Sequence, residues 1–292
     1  MSGPHSGSLP LGNKQTSVEA AAEHEKTGLW LSVITVVKDA PLDLLHTYTS
    51  FQGQSLAGVE WVVVDGSAQT TWELDPDQQG LAFVYRRQKP IGVFHAMNLG
   101  ISLASGRYLY FLNAGDVFAW HDTLESVRHF LAEKNWPAWA YGDVAMTHDT
   151  GAMFVPPTWD HERERSHLFA RGHFPPHQGT LVRASVMRSL GGFDPTYSVG
   201  GDYDLFLRLD QLYEPLRLPI TVARFAPGGH SSKNWWRGLR EFHRSRRLHL
   251  EPKGRARLTE LFDTLWLAGK TTSYQLLWAP GRPLHHLIRH TK

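Results

Sequence analysis

The sequence predicts an α/β protein in which a mainly parallel central β-sheet is flanked by helices. Short apolar runs rich in β-branched residues alternate with stretches of helical spacing through the first half of the chain. That alternation is typical of βαβ units, whose strands lie parallel. The chain has 292 residues, of which 41% are hydrophobic and 20% are charged. A substantial core can therefore form, and disorder over most of the chain is excluded.

Four strands and three helices are predicted in the N-terminal half. Each predicted strand is an apolar run that ends near a turn residue, and the helices carry apolar residues three and four positions apart. Asp39 and Pro41 mark the first helix, because Asp is a frequent N-cap and Pro suits the first turn. The predicted strands are 31–37, 59–64, 81–85 and 108–112, and the predicted helices run from Pro41 to near Gly53 and over 92–105 and 121–135.

The second half is less regular. Asp202 starts a strongly patterned helix, where a carboxylate accepts backbone N–H bonds and complements the helix dipole. Helical spacing returns after residue 233. The predicted strands are 139–144, 181–183 and one or two short strands within 216–225. The predicted helices are a short one that ends at 191–192 and a longer one over 202–212.

Charge divides the chain into an acidic body and a basic C-terminal end. Of 30 Lys and Arg and 28 Asp and Glu, residues 233–292 hold 13 basic and 4 acidic ones, a net charge of +9 that leaves −7 for the rest. Residues 1–28 are polar with little periodicity, so we expect them to be disordered or loosely attached. We predict one α/β domain over 29–232 and a basic, Trp-containing helical extension over 233–292.

The basic extension suggests contact with an anionic partner. Arg237 to Arg247 include five arginines, and the adjacent pair Trp235-Trp236 adds the aromatic residues of an interfacial helix, so an anionic membrane surface is the expected partner. The alternative is a solvated helical face that packs on the domain. No nucleic-acid motif accompanies the charge, so no nucleic acid is expected.

Several function classes lose their support. The absence of cysteine excludes a disulfide scaffold, a thiolate zinc site and a cysteine nucleophile. No P-loop, strand-following G-x-G-x-x-G, H-E-x-x-H or G-x-S-x-G motif occurs. The chain contains no apolar run of about 18 residues, so no transmembrane helix is predicted. The start of the chain lacks a secretion signal, so we expect a cytoplasmic protein, with peripheral attachment to the inner face of the cytoplasmic membrane as a further expectation.

Three aspartates are candidate functional residues. Asp65 directly follows one predicted strand, and Asp116 follows another after an Asn-Ala-Gly turn. Ligands of open parallel sheets bind beyond the carboxyl ends of the strands, although Asp also simply suits turns. Asp202 is either functional or a helix cap. Asp204 is an alternative to it, with a first-turn helix charge as its simpler role.

Separate carboxylates of this kind suit group transfer from a diphosphate. Mg²⁺ and Mn²⁺ prefer carboxylate and phosphate oxygens, so one acid can clamp a diphosphate through a divalent cation. A second carboxylate on another element can take a proton from an attacking hydroxyl.

Four segments, in this order, resemble the family 2 glycosyltransferases, which have the GT-A fold. The asparagine-containing helix, the A-x-G-x-Y-x-x-F-L stretch and its terminal Asp are specific in combination. The resemblance covers roughly residues 31–234, and the sub-branch is similar to bacterial exopolysaccharide and lipopolysaccharide transferases. The segments are LSVITVVKDA, VEWVVVDGSA, GVFHAMNLGISLASGRYLYFLNAGD and GGFDPTYSVGGDYDLFLRL.

The resemblance implies a Rossmann-like GT-A domain that transfers a sugar, with inversion, from a nucleotide-sugar to a hydroxyl. It implies a UDP-sugar donor, Mn²⁺ or Mg²⁺ as cofactor, and a glycan or lipid-linked acceptor. Asp202 would be the general base, Asp116 the metal-binding carboxylate, and Asp65 the acceptor of uracil N3–H. The other donor-binding residues would be Thr35 and Val37 at the base pocket, Gly92 and Asn98 beside the ribose and diphosphate, Asn113 in the metal loop, and His177 near the donor sugar.

Some positions depart from the family's pattern. Asn113 and Gly115 stand where carboxylates often flank the metal, Gly201 replaces a common Glu, and His95 replaces an Asp of the related branch. His230, in Gly-Gly-His-Ser-Ser, is a further candidate metal ligand, with an ordinary loop histidine as the alternative.

Two other functions stay open at this point. A sugar nucleotidyltransferase would have a Gly-rich, Lys- or Arg-bearing loop after the first strand, which residues 36–39 match poorly. The metal-binding motif has one carboxylate, Asp116, where the family often has two, and this supports a degenerate, non-catalytic module that binds nucleotide-sugars.

Overall fold

The structure is a computed structural model that describes residues 28–69, 80–147, 153–156, 161, 174–225, 234–250, 262 and 264–265. The strands are β1 Leu31–Val37, β2 Val59–Asp65, β3 Ala82–Arg87, β4 Tyr108–Phe111, β5 Val117–Phe118, β6 Trp139–Thr147, β7 Met153–Phe154, β8 Thr180–Arg183 and β9 Leu216–Phe225. The helices are α1 Pro41–Thr49, α2 Val93–Leu103, α3 Thr123–Glu133, α4 Ala184–Ser189, α5 Gly201–Asp210 and α6 Trp235–His249, with a 3₁₀ turn at His177–Gly179.

The predicted α/β architecture with a mainly parallel sheet is confirmed. The strands of the described residues form one sheet in the order β3-β2-β1-β4-β8-β6-β9-β5, and β7 pairs with β6. Strands β3, β2, β1 and β4 are parallel, as are β6 and β9. Strand β8 runs antiparallel between β4 and β6, and the two-residue strands β5 and β7 are also antiparallel. These last two strands were not predicted, because so short an element depends on its partner strand.

Helices cover both faces of the sheet and bury two apolar clusters. On one face α1 and α3 contribute Leu44 and Val127 to a core centred on Trp61. On the other face α2, α4 and α5 pack Phe94 and Leu205 against the sheet. Each fully buried Leu, Val or Phe side chain contributes about 1.5–3 kcal/mol of stability, so these two layers hold the sheet edge that carries the candidate acids.

The A-x-G-x-Y stretch owes its glycine to a close approach of two strands. A Cβ atom on Gly106 would lie 2.5 Å from the backbone nitrogen of Ser32, on β1. Buried Glu60 of β2 accepts a hydrogen bond from the Gly106 N–H at 3.0 Å and another from the Ser32 hydroxyl. These contacts fix the register of β4 beside β1, and so fix where the loop after β4 emerges.

Asp39 does not have its predicted role. The N-cap of α1 is Ala40, with no side-chain capping bond, and Asp39 has φ of +52°. Its carboxylate instead accepts the Ala68 N–H at 3.0 Å, and its own N–H donates to the Ser67 hydroxyl at 2.8 Å. Asp39 therefore joins the chain after β1 to the turn after β2 at the carboxyl edge of the sheet.

Helix α6 lies at the start of the predicted C-terminal extension and packs on α5. Leu239 is buried, and the Phe242 ring lies 4.7 Å from that of Tyr203. The domain boundary near residue 233 stays a prediction. Residues 1–27 of the predicted N-terminal segment 1–28, and most of 251–292, lie outside the described residues. No helix among the described residues is long and apolar enough to span a bilayer.

Candidate functional site

The loop after β4 presents Asn113 and Asp116 at the carboxyl edge of the sheet. Its turn closes with a hydrogen bond from the Asp116 N–H to the Asn113 carbonyl at 2.9 Å, and Gly115 has φ of +95°, which suits glycine. The Thr47 hydroxyl of α1 donates to the Asp116 carbonyl at 2.8 Å and accepts the Gly115 N–H at 3.0 Å. Helix α1 therefore holds this loop in one shape.

The protonated form of the Asp116 carboxyl is favoured more strongly in the protein than in water. Burial raises its pKa from the ordinary 3.8 to about 6, although the nearby His177 and hydrogen bonds from the Gln178 side chain and the Asn113 backbone favour the charged form. Burial therefore outweighs the donors that the protein supplies. A cation placed at this carboxylate would relieve that cost.

His177 connects the two halves of the site. It starts the 3₁₀ turn before β8, and its Nε2 lies 3.0 Å from Asn113 Nδ2. Its Nδ1 lies 3.7 Å from Asp202 Oδ2, and both side chains are about a fifth exposed, at 23% and 21%. With the Asn113 amide assigned as donor, Nε2 is the acceptor and the ring proton is on Nδ1, which faces Asp202. The structure therefore brings Asn113, Asp116, His177 and Asp202 together.

Asp202 lies in the first turn of α5, with one carboxylate oxygen directed at His177. The site formed by Asn113, Asp116, His177 and Asp202 is called the cleft. Its Oδ1 accepts the Tyr203 N–H at 2.8 Å, and its Oδ2 faces His177. The preceding residue is glycine because a Cβ atom on Gly201 would lie 2.6 Å from the ring of Phe94, on α2. The departure from the family's common Glu at this position thus has a packing cause.

Asp204 is excluded as the alternative base. Its side chain is 2% exposed and forms hydrogen bonds with His249 at 2.8 Å and with Arg208 at 3.0 Å. Burial raises its pKa, but the hydrogen bond from His249 and the charge of Arg208 outweigh burial and hold the pKa below its ordinary value. Asp204 joins α5 to α6 and does not face the cleft.

Asp65 has protein partners on both oxygens. The Ser67 N–H donates to Oδ1 at 2.7 Å and the Tyr85 hydroxyl donates to Oδ2 at 2.6 Å. Burial raises the pKa of Asp65, but these hydrogen bonds and the charge of Arg87 outweigh it, so the pKa lies below its ordinary value. Asp65 shapes the turn after β2, and its predicted contact with a base stays a prediction.

The two predicted residues of β1 differ in their access to a ligand. Thr35 has no exposed surface, accepts from Trp61 Nε1 at 2.8 Å and donates to the Leu112 carbonyl at 2.7 Å. The hydroxyl is therefore used inside the core, and the predicted place of Thr35 at the base pocket stays a prediction. Val37 is 8% exposed at the end of β1, and its carbonyl accepts the Gly66 N–H at 2.9 Å.

Asn98 is a structural clamp. Its Nδ2 donates to the Phe193 carbonyl at 2.8 Å, and its Oδ1 accepts the Phe193 N–H at 2.9 Å. These bonds join α2 to the segment that leads to α5, and the predicted place of Asn98 beside the ribose and diphosphate stays a prediction. Gly92, by contrast, is exposed at the N-cap of α2 with φ of +147°, and its place beside a diphosphate stays a prediction.

The metal-binding prediction is compatible with the donors present. Asn113 Oδ1 is a buried oxygen without a hydrogen-bond partner, and it belongs to the same loop as the Asp116 carboxylate. The described residues contain no cluster of three His, Cys, Asp or Glu side chains that could hold an ion by themselves. Two protein oxygens completed by a diphosphate are a normal environment for Mg²⁺, and Mn²⁺ accepts the same ligands. His230 lies outside the described residues.

Sequence reasoning missed two residues that shape the site. Thr47 lies inside a helix and Tyr85 inside a strand, where nothing in the sequence distinguishes them from ordinary structural residues. Thr47 matters because it contacts the backbone of Asp116, and Tyr85 because it donates to Asp65; both contacts depend on the tertiary fold.

Comparison with known proteins is consistent with this geometry. The profile of glycosyl transferase family 2 matches residues 32–191. An uncharacterised glycosyltransferase of Mycobacterium tuberculosis is 26% identical over 208 residues, which is 69% of this chain and 77% of the relative. The PGL/p-HBAD biosynthesis glycosyltransferase of M. tuberculosis is 32% identical over 167 residues, or 54% of this chain and 61% of the relative.

Solved structures support the fold. Residues 1–349 of S. aureus TarS align with a TM-score of 0.62 at 14% identity, covering 86% of this chain and 76% of that TarS fragment. The mannosyltransferase PcManGT of Pyrobaculum calidifontis, solved with GDP-Man and Mn²⁺, aligns with a TM-score of 0.57 at 14% identity, covering 94% and 86% of the two chains.

The family profile spans more than half of the chain, and its matched residues include Asp116 and His177, which lies 3.7 Å from Asp202. These findings favour sugar transfer over nucleotidyl transfer and over a non-catalytic module. The chain belongs to glycosyl transferase family 2 and is a glycosyltransferase of GT-A fold.

Proposed function

We propose that the protein transfers a sugar, with inversion, from a UDP-sugar to a hydroxyl of a glycan or lipid-linked acceptor, with help from Mn²⁺ or Mg²⁺. One observation carries the proposal: His177 lies between the Asn113–Asp116 loop and the Asp202 carboxylate, so two acids of different character share one cleft. Transfer from a diphosphate needs both an acid that holds a cation and an acid that takes a proton.

Asp116 and Asn113 are the residues that would hold the divalent ion. When bound, the ion offsets the negative charge that develops on the departing diphosphate. Asp116 suits this role because burial penalises its charge, and His177, the Gln178 side chain and the Asn113 backbone offset that penalty only in part. Asn113 suits it because its Oδ1 lacks another partner.

Asp202 acts as the general base. Its Oδ2 accepts the proton of the acceptor hydroxyl as the new bond to the anomeric carbon forms and the bond from that carbon to the diphosphate oxygen breaks. The base and the leaving group must lie on opposite faces of the sugar in an inverting displacement. Asp202 lies on α5 and Asp116 on the loop after β4, with His177 between them, which allows that arrangement.

The nucleotide lies at the ends of β1 and β2. Val37 and Asp65 are paired in the parallel register, and Gly92 begins α2 just beyond β3. A glycine N-cap leaves the first amides of a helix open to an anionic group, which suits a diphosphate. UDP is proposed as the nucleotide because a solved relative, TarS 1–349, is in complex with UDP-GlcNAc.

We also propose that α6 contacts an anionic membrane surface. Arg240 and Arg247 are exposed on its outer side, beside Leu248, whose exposure is 56%. A cationic face with exposed apolar residues suits the headgroup region, and such contact would bring a lipid-linked acceptor near the site. We propose that the reaction takes place in the cytoplasm, because a cysteine-free chain suits a reducing compartment.

Transfer by the purified protein tests the proposed activity. UDP-glucose, UDP-N-acetylglucosamine and GDP-mannose are supplied with and without Mn²⁺ and with an alkyl glycoside acceptor, and NMR gives the anomeric configuration of the product. We expect a Mn²⁺-dependent, inverted product from a UDP-sugar, and a loss of about 10²–10⁴-fold in Asp202→Asn. Retained configuration, or normal turnover in Asp202→Asn, contradicts the mechanism.

Vesicle binding tests the proposed membrane contact. Sedimentation with phosphatidylcholine vesicles that contain phosphatidylglycerol should capture the wild type, and capture should fall in the double variant Arg240→Glu, Arg247→Glu. The capture should fall because each basic residue near an anionic surface contributes about 1 kcal/mol to binding. Vesicles of phosphatidylcholine alone, which carry no net charge, are the control. Equal capture of wild type and variant removes α6 as the contact.

A further inference from the structure

Helix α6 holds the backbone from which the proposed base emerges. The carboxylate of Glu241 accepts the N–H groups of Ser198, Val199 and Gly200 at 3.1, 2.9 and 2.8 Å. It also accepts the Ser198 hydroxyl at 2.9 Å. The Glu241 side chain is buried, with the whole residue 8% exposed. One acid on α6 therefore satisfies three consecutive backbone donors that end two residues before Asp202.

The charge of Glu241 is maintained by these contacts. Burial raises its pKa, but the hydrogen bonds from the Gly200, Val199 and Ser198 backbone outweigh burial and lower the pKa below its ordinary value. Arg237 Nε adds a hydrogen bond at 3.1 Å. A carboxylate that accepts several backbone N–H bonds is a strong and geometrically specific anchor, because charge-assisted hydrogen bonds are about twice as strong as neutral ones.

Packing leaves the anchored segment little freedom. A Cβ atom on Gly200 would lie 2.9 Å from the Phe242 ring of α6, and one on Gly201 would lie 2.6 Å from Phe94 of α2. Tyr203, on the other side of Asp202, has no exposed surface and packs on Phe242. The chain around Asp202 is thus confined between α2 and α6, while its carboxylate faces the cleft.

We infer that Glu241 is a positioning residue for Asp202, so that α6 is part of the catalytic unit. This inference rests on the proposed role of Asp202 as base. Among the described residues, the hydrogen-bond partners given for Glu241 are Arg237 and residues 198–200, so Glu241 acts on Asp202 through the backbone of 198–200. Its loss should therefore impair the proton-transfer step and leave nucleotide binding at β1 and β2 unchanged.

A double-mutant cycle tests this inference. In Glu241→Gln one acceptor oxygen becomes an amide donor, and we expect kcat for transfer to fall by about 10²-fold, the loss that a displacement of about 1 Å can cause. The donor KM and UDP affinity should not change. In the Asp202→Asn background, Glu241→Gln should cause no further loss, because the two residues act as one unit.

Two further variants separate positioning from general destabilisation. Ser245→Ala, one turn further along α6, removes buried hydrogen bonds to the Tyr197 hydroxyl at 2.8 Å and to Asp204 Oδ1 at 3.5 Å, and it keeps the Glu241 carboxylate that binds 198–200. It should lower the melting temperature and keep kcat. Glu241→Asp keeps the charge and should recover part of the kcat, and it carries the test if Glu241→Gln melts below the assay temperature.

The results that overturn the inference are distinct from those that overturn the proposed function. Wild-type kcat in a folded Glu241→Gln or Glu241→Asp, or an equal loss from Glu241→Gln with and without Asp202→Asn, rejects the positioning role. Wild-type turnover in Asp202→Asn alone rejects the base assignment.

Discussion

Asp65 and Asp116 lie on either side of the end of β1, and their pKa values shift in opposite directions. Asp65 closes β2 and has a pKa below the ordinary value, whereas Asp116 follows β4 and has a pKa of about 6. Burial raises the pKa of both carboxyls. At Asp65 the hydrogen bonds and the Arg87 charge outweigh burial, whereas at Asp116 burial outweighs His177 and the donors around the carboxylate.

The two sites use their acids differently. At Asp65, the Ser67 N–H, the Tyr85 hydroxyl and the Arg87 charge stabilise the carboxylate. Burial, and after it the hydrogen bond to Asp65, raises the pKa of Tyr85 to about 12. At Asp116 the hydrogen-bond donors and His177 do not offset the rise in pKa that burial causes. The neighbouring Asn113 Oδ1 is buried without a hydrogen-bond partner. A complete set of partners marks a structural acid, and an incomplete set marks one that is prepared for a ligand.

The largest expected difference between the two acids is in turnover. Asp116→Asn should lower transfer by about 10³-fold, because a bound divalent ion contributes several kcal/mol to transition-state stabilisation. Asp65→Asn should mainly raise the donor KM. Steady-state kinetics over a range of Mn²⁺ concentrations measures both, and a kcat loss as large in Asp65→Asn as in Asp116→Asn would remove the distinction.

Stability should change in the opposite order. Asp65→Asn should cost about 1–3 kcal/mol, since it places an amide among donors arranged for a carboxylate. Asp116→Asn should raise the free energy of unfolding by about 0.5–2 kcal/mol at pH 7 without metal, because it removes a buried charge that lacks full compensation. Urea unfolding in the presence of a chelator measures both changes. A destabilised Asp116→Asn would show that its partners already suffice.

The smallest effect is a difference in the pH dependence of stability. Folded Asp116 keeps its proton up to about pH 6, whereas an unfolded one loses it near 3.8, so this residue makes stability fall as pH rises through that window. Asp65 has a lowered pKa, so its contribution is present above pH 3.8 and is lost as pH falls through its folded pKa. Unfolding curves of the wild type and both Asn variants between pH 3 and pH 8, in a chelator, should show these opposite slopes as differences from the wild type. Parallel curves for the two variants would contradict the opposite shifts.

Much of the fold could be predicted from the sequence. Apolar runs placed β1 at residues 31–37, and turn residues placed the ends of β2 and β4 within about a residue or two. The same reasoning could not separate Asp65 from Asp116, because both are aspartates after an apolar strand. Tyr85 reaches Asp65 from the neighbouring strand β3, and that contact depends on the parallel register.

The site was predicted less completely than the fold. Thr35 and Asn98 match the family's motifs, yet their polar groups are used by Trp61, Leu112 and Phe193. A motif gives a residue's place along the chain, and its partners appear only after folding. Glu241 illustrates the converse, because an acid in a basic helix has no sequence signal, although it holds three backbone amides before Asp202.

Titration calorimetry of UDP, with and without Mn²⁺, tests most directly whether the two acids of the cleft have separate tasks. It compares the wild type with Asp116→Asn and Asp202→Asn, and the turnover of each protein is measured in parallel. Asp202→Asn should bind UDP with the full Mn²⁺-dependent gain in affinity and yet fail to transfer, whereas Asp116→Asn should lose that gain. An Asp116→Asn protein that keeps the Mn²⁺-dependent affinity, or an Asp202→Asn protein that loses it, would contradict the division of roles.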